Sequence, residues 1–163
     1  MEQSEQIKLS SAELERVEKQ ENELIFSEFG NEDALKLGLM IIEHAKKYGW
    51  AMAVNIEVCD TRCFSYLMPG TTAENLNYMR RKINLVHYSG HSSYYCHHQL
   101  IVKGKDLVKD HGLTDADYVA VGGSFPIKIK GGAVIGTVTV SGRPHKEDHQ
   151  LVTEAIARFL DSK

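Results

Sequence analysis

Two glycine pairs, Gly122-Gly123 and Gly131-Gly132, cut the stretch from Tyr118 to Val140 into three short β-branched runs. No other feature narrows the fold as far. Tyr118–Val121, Phe125–Lys130 and Ala133–Val140 each read as a strand. The pair at 131–132 has the length and chemistry of a two-residue hairpin turn, because glycine supplies positive φ without steric cost. Upstream, Trp50–Val58 and Cys63–Met68 read as two more strands around Asp60-Thr61-Arg62. Strands joined by tight turns pair antiparallel, whereas a parallel sheet needs a long crossover between neighbours.

Helical patterns alternate with these hairpins. Asn31 to Tyr48 carries Ala34, Gly38, Ile41, Ile42 and Ala45 on one face, with Asn31 or Asp33 as its cap and Gly49 as its stop. Leu39 and Met40 project away from that stripe, which hints at a subunit contact. Thr71-Thr72-Ala73-Glu74 has capping-box spacing before a helix with Leu76, Met79, Ile83 and Val86 on one side. Ser92–Val102 reads as a further helix. The final helix follows Pro144, with Leu151, Val152, Ala155, Ile156, Phe159 and Leu160 at helical spacing. Residues 1–24 form a polar N-terminal extension with a helix over about 11–24 and a thin stripe of Leu14, Val17 and Leu24. Residues 25–163 make one α+β domain.

Net charge is −3, so no global field favours nucleic acid or a membrane surface. The apolar runs Leu39–Ile42 and Ala51–Val54 are far too short to span a bilayer. The N-terminus lacks a basic start and an apolar core, so cytoplasm is the expected compartment. Cys59, Cys63 and Cys96 are an odd number of thiols and read as free and structural.

Several polar residues stand where packing does not demand them. Gly122-Gly123-Ser124 allows another group to approach the backbone closely, and either a ligand or a tight strand connection uses that freedom. Asn75 and Lys82 share a flank of their helix beside the apolar stripe, with Arg81 next to them. They can hold an anion at the edge of the sheet, or simply form a solvated charged face. Asp148 falls in the first turn of the last helix, where free amides favour a carboxylate and where it can tie the loop at Ser141-Gly142. His149 lies on the same, inward side. No metal site is expected: His145-Lys146-Glu147-Asp148-His149 puts lysine where H-E-x-x-H needs glutamate.

The ordered set Met68-Pro69-Gly70-Thr71, Asn75, Arg81-Lys82, Ser92-Ser93, Gly122-Gly123-Ser124-Phe125-Pro126-Ile127, Gly136, Ser141-Gly142, Pro144 and Asp148-His149 resembles the GlcG/HbpS-like haem-degrading-domain superfamily. The resemblance covers about residues 22–160. It implies a profilin-like fold, with a five-stranded antiparallel sheet flanked by helices, and assembly into homo-oligomers. It also implies haem binding, and in some members haem breakdown. Two positions depart from the pattern: Val121 replaces a polar residue, and Arg143 an apolar one. A haem here would be non-covalent, since no C-x-x-C-H occurs. His87, His91 or His149 would be its ligands and Arg81 or Lys82 its carboxylate partners. Two readings stay open: binding of haem or a small anionic ligand, and a non-catalytic homo-oligomeric scaffold or adaptor. The candidate ligand-binding residues are Asn75, Arg81, Lys82, Gly122, Gly123, Ser124, Asp148 and His149.

Overall fold

At Cys59 and Asp60 both φ angles are positive, 49° and 60°. That conformation closes a two-residue hairpin whose twist matches its strands. It joins β1 (Ala53–Val58) to β2 (Thr61–Leu67). The computed structural model describes residues 2–163, and the second hairpin, β3 (Ser124–Lys128) with β4 (Val134–Ser141), turns at Gly131-Gly132. β1 and β4 pair antiparallel between the hairpins, so the sheet runs β2-β1-β4-β3.

The antiparallel α+β class holds, but the sheet has four strands where five are expected. Tyr118–Val121 is not a strand. Helix side chains hold its backbone and that of the residue before it instead: Asn84 donates to the Asp117 carbonyl at 2.9 Å, and His97 Nδ1 meets the Ala120 carbonyl at 3.0 Å. Tyr118 and Ala120 pack on Leu85, Cys96 and Leu113. The free edge of β3 is met by Phe26, a single parallel bridge to Ile129.

Six helices complete the described residues: α1 (Glu2–Glu23), α2 (Asn31–Lys47), α3 (Ala73–Ser89), α4 (Ser93–Lys103), the short α5 (Leu107–His111) and α6 (His145–Asp161). Helix α1 begins well before residue 11, and α5 has no counterpart among the sequence expectations. Both capping details also shift by a residue or more. Gly30 caps α2, while the Asp33 carboxylate accepts from the Gly30 amide at 2.9 Å. At α3 the box is Thr72 with Asn75, rather than Thr71 with Glu74.

Strand alternation divides the sheet into unlike faces. Val54, Ile56, Val138 and Val140 point to the main core beneath α2 and α6, with Leu37, Ile41, Val152, Ile156 and Phe159. Phe159 is fully buried, and truncating such a ring costs about 3–5 kcal/mol. Gly38 is required there because a Cβ would run into the Phe64 ring. The opposite face is polar. It carries Asn55, Thr137, Thr139 and Ser141 around a small patch of Ala53, Met79 and Ile83, and α3 crosses it. A buried polar face requires partners for its hydrogen-bonding groups.

Candidate functional site

Lys82 sits on α3 over that polar face and is 2% exposed. Its Nζ donates to the Val140 carbonyl at 3.0 Å and to Asp148 Oδ2 at 3.3 Å. Asp148, in the first turn of α6, also accepts from the Arg143 amide at 2.9 Å through Oδ1. One carboxylate therefore ties the β4–α6 loop and neutralises a buried ammonium. Burial pushes the Asp148 carboxyl up to about 6, against the pull of Lys82 and the loop amides. Burial likewise lowers the Lys82 ammonium, opposed by Asp148. Both shifts show burial working against the charged forms, so the ammonium and carboxylate are held in place by each other and by the hydrogen bonds around them.

The glycine pair packs directly behind this ion pair. A Cβ on Gly123 would stand 2.6 Å from Lys82 Nζ and 2.7 Å from the Val140 carbonyl, and its φ of 129° already excludes most side chains. Gly122 donates to His145 Nδ1 at 3.1 Å. Ser124 bonds Thr139 Oγ1 at 2.8 Å and receives the Ser93 hydroxyl on its carbonyl at 3.4 Å. The close approach that these glycines permit is thus made by the protein's own lysine and helix.

Asn75, Lys82 and Asp148 line one open cleft of ≈ 290 Å³, together with Tyr78, Ser141 and Arg143. Asn75 is committed at both ends of its amide, to the Thr72 amide at 3.0 Å and to Ser141 Oγ at 3.3 Å. Arg143 reaches over the Trp50 ring at 5.1 Å and pairs with Glu147 at 3.3 Å. Two of the expected residues lie elsewhere. Arg81 stacks on Tyr78 at 5.4 Å and does not line the cleft. His149 is 1% exposed, bonded through Nε2 to Gln20 of α1 at 2.7 Å, and burial pushes it down to about 3.

Sequence reasoning missed an aromatic cluster on this side of the molecule. Tyr94 packs against His98 and His149 with ring centres 4.5 Å away, and against His145 at 5.3 Å. Helix α1 covers it: Glu13 accepts from the Tyr94 hydroxyl at 2.8 Å, and Ser10 meets His98 Nδ1 at 3.1 Å. The i, i+3, i+4 spacing of Tyr94, His97 and His98 was the available signal. Among the described residues, no group of three or more His, Cys, Asp or Glu side chains is disposed to hold a metal ion, and no helix is long and apolar enough to cross a membrane.

Comparison with known proteins gives this arrangement a family. Two proteins carrying the label UPF0303, from Yersinia enterocolitica and Rhizobium etli, are each 42% identical to the chain. The first aligns over 84% of this chain and 82% of its own, the second over 90% and 89%. Among solved structures, the Ybr137w protein superposes with a TM-score of 0.87 at 22% identity, over 98% of this chain and 94% of its own. HbpS gives 0.64 at 19% identity over 81% and 89%, and a PduOC:heme complex 0.68 at 18% over 79% and 93%. These three share the fold. Residues 29–157 match the family described as haem degrading protein HbpS-like, and the chain belongs to that family.

Proposed function

We propose that this protein binds a small anionic ligand without covalent attachment, in the cleft above Lys82 and Asp148. The observation that carries this reading is the Lys82 ammonium, almost wholly withdrawn from water at the cleft wall with only two acceptors for its three N–H donors. Arg143 supplies a second cation at the rim. Gly122, Gly123 and Ser124 support the site from behind rather than touching the ligand, and Asp148 orients the lysine. Ser141, the one serine in the described lining of this cleft, is bonded to Asn75 rather than to a base, which supports binding rather than catalysis. Three free thiols, Cys59, Cys63 and Cys96, support a reducing, cytoplasmic setting.

The PduOC structure holds haem, but haem does not fit this cleft. Apart from Gly142, every residue of its lining carries a polar or charged group, where a porphyrin needs a flat apolar slot. His145 Nδ1 accepts the Gly122 amide proton, which leaves the ring proton on Nε2 and removes the lone pair an iron would need. His149 is sealed under Gln20. Titration with succinate as an anionic probe is expected to give saturable heat that Arg143→Gln weakens and Lys82→Met removes. Haemin is expected to give no Soret band that depends on His149. Absence of succinate binding, with a His149-dependent Soret band, would reverse the assignment.

A second reading, a non-catalytic homo-oligomeric scaffold, is favoured by one specific observation. Lys82, Gly123 and Asp148 bond or pack on one another, and Asn75 and Ser124 make their hydrogen bonds inside the protein, to Ser141 and Thr139. Asp148→Ala would then lower stability with no ligand bound in any variant.

A further inference from the structure

Helix α3 leaves a second cleft on its other flank, ≈ 250 Å³ in volume, with Asn55 and Glu57 of β1 among its lining and Met79 and Ile83 as its apolar wall. The polar sheet face is satisfied on the β3 side, where Ser124 meets Thr139 at 2.8 Å and Asn75 meets Ser141 at 3.3 Å. Toward this cleft it is not. Asn55 is 3% exposed and its amide nitrogen has no hydrogen-bond partner, nor does the neighbouring Thr137 hydroxyl. A buried amide left unpaired is costly, so an unpaired one beside an open cleft points to a group from outside the chain.

We propose that this cleft binds a small planar heterocycle with a lactam edge, a ring carbonyl beside an N–H. A carboxamide presents a donor and an acceptor side by side and matches such an edge in the way asparagine reads a base edge. Glu57 lies two residues on, on the same face of β1 and roughly 7 Å along the strand. Its carboxylate accepts a further ring N–H, since His87 Nε2 stands 4.0 Å away and leaves it open. Met79 and Ile83 cover the ring face. The volume lies below that of sites for drug-sized ligands and suits one or two fused rings. The charges around it are mixed, Asp60 with Arg62, and Arg80 is committed to Asp117 at 3.0 Å. That balance favours a neutral ring over an anion and separates this cleft from the one at Lys82.

Hypoxanthine is the probe, with benzoate as a flat anion that lacks the N–H. In isotope-labelled full-length protein, millimolar hypoxanthine is expected to shift the Asn55 side-chain amide and the Met79 methyl resonances saturably. Asn55→Leu should abolish binding, and Glu57→Leu should weaken it about tenfold, the loss of one good hydrogen bond. Succinate binding should be unchanged in both variants. No saturable shift in the wild type overturns the proposal even if Asn55→Leu fails to fold. Unchanged binding in a folded Asn55→Leu, or benzoate binding as tightly as hypoxanthine, overturns it as well.

Discussion

Gly123 and the Lys82–Asp148 pair depend on each other at the level of single atoms. The glycine has no Cβ, so the ammonium occupies the space a side chain would fill, and the carboxylate can then close on it. Gly123→Ala is expected to lower unfolding free energy by about 2–4 kcal/mol in urea titrations, from positive-φ strain added to a collision. Lys82→Met alone should cost about 3–5 kcal/mol, because it leaves a buried carboxylate without its counter-ion. The double variant Lys82→Met/Asp148→Leu should recover much of that loss, since both charges leave together. If the double variant is no more stable than the single one, the pair is not the source of the cost.

Among the elements, α1 has the most conditional attachment. It packs Val17 and Leu14 against Tyr94 and Tyr95, and adds polar contacts from Ser10, Glu13, Gln20 and Glu21. Three histidines beneath or beside it are pushed down by burial: His98 and His145 to about 4, His149 to about 3. Glu13 and Arg16 of α1 face the same cluster, and Glu13 is held near 2 by Arg16 and Tyr94. Imidazoles with folded values below the ordinary 6.5 contribute stability that is complete above pH 6.5 and is lost as pH falls toward 4. Acidification to pH 4 is therefore expected to cost roughly 3 kcal/mol from the fully buried His149 alone, with a smaller further loss from the less deeply buried His98 and His145. Hydrogen exchange should show α1 amides losing protection before those of β1 and β4. Simultaneous loss in helix and sheet would show that α1 is not a separate unit.

At the scale of the whole molecule, the unused surfaces concern assembly. Leu39 on α2 is 46% exposed and Tyr66 on the edge strand β2 is 44% exposed. Exposed apolar side chains on a helix and on an open sheet edge are natural places for a second copy. Light scattering at micromolar concentration is expected to give at least twice the 18.3 kDa chain mass. Leu39→Glu should shift that value toward the monomer while leaving the circular dichroism spectrum unchanged. A wild-type monomer throughout that range would remove the oligomer reading.

From the sequence alone, the antiparallel pairing, the inward faces of α2 and α6, and the placement of Asp148 at the β4–α6 loop could be read. Each follows from local physics: turn chemistry sets pairing, periodicity sets faces, and free amides attract a carboxylate in the first turn. Only the tertiary structure decided that Tyr118–Val121 leaves the sheet, because distant side chains of α3 and α4 meet the carbonyls of Asp117 and Ala120. It alone separated Arg81 and His149 from the cleft that Asn75, Lys82 and Asp148 share. A polar residue's partner is chosen by packing between elements far apart in sequence, and no local pattern encodes that choice.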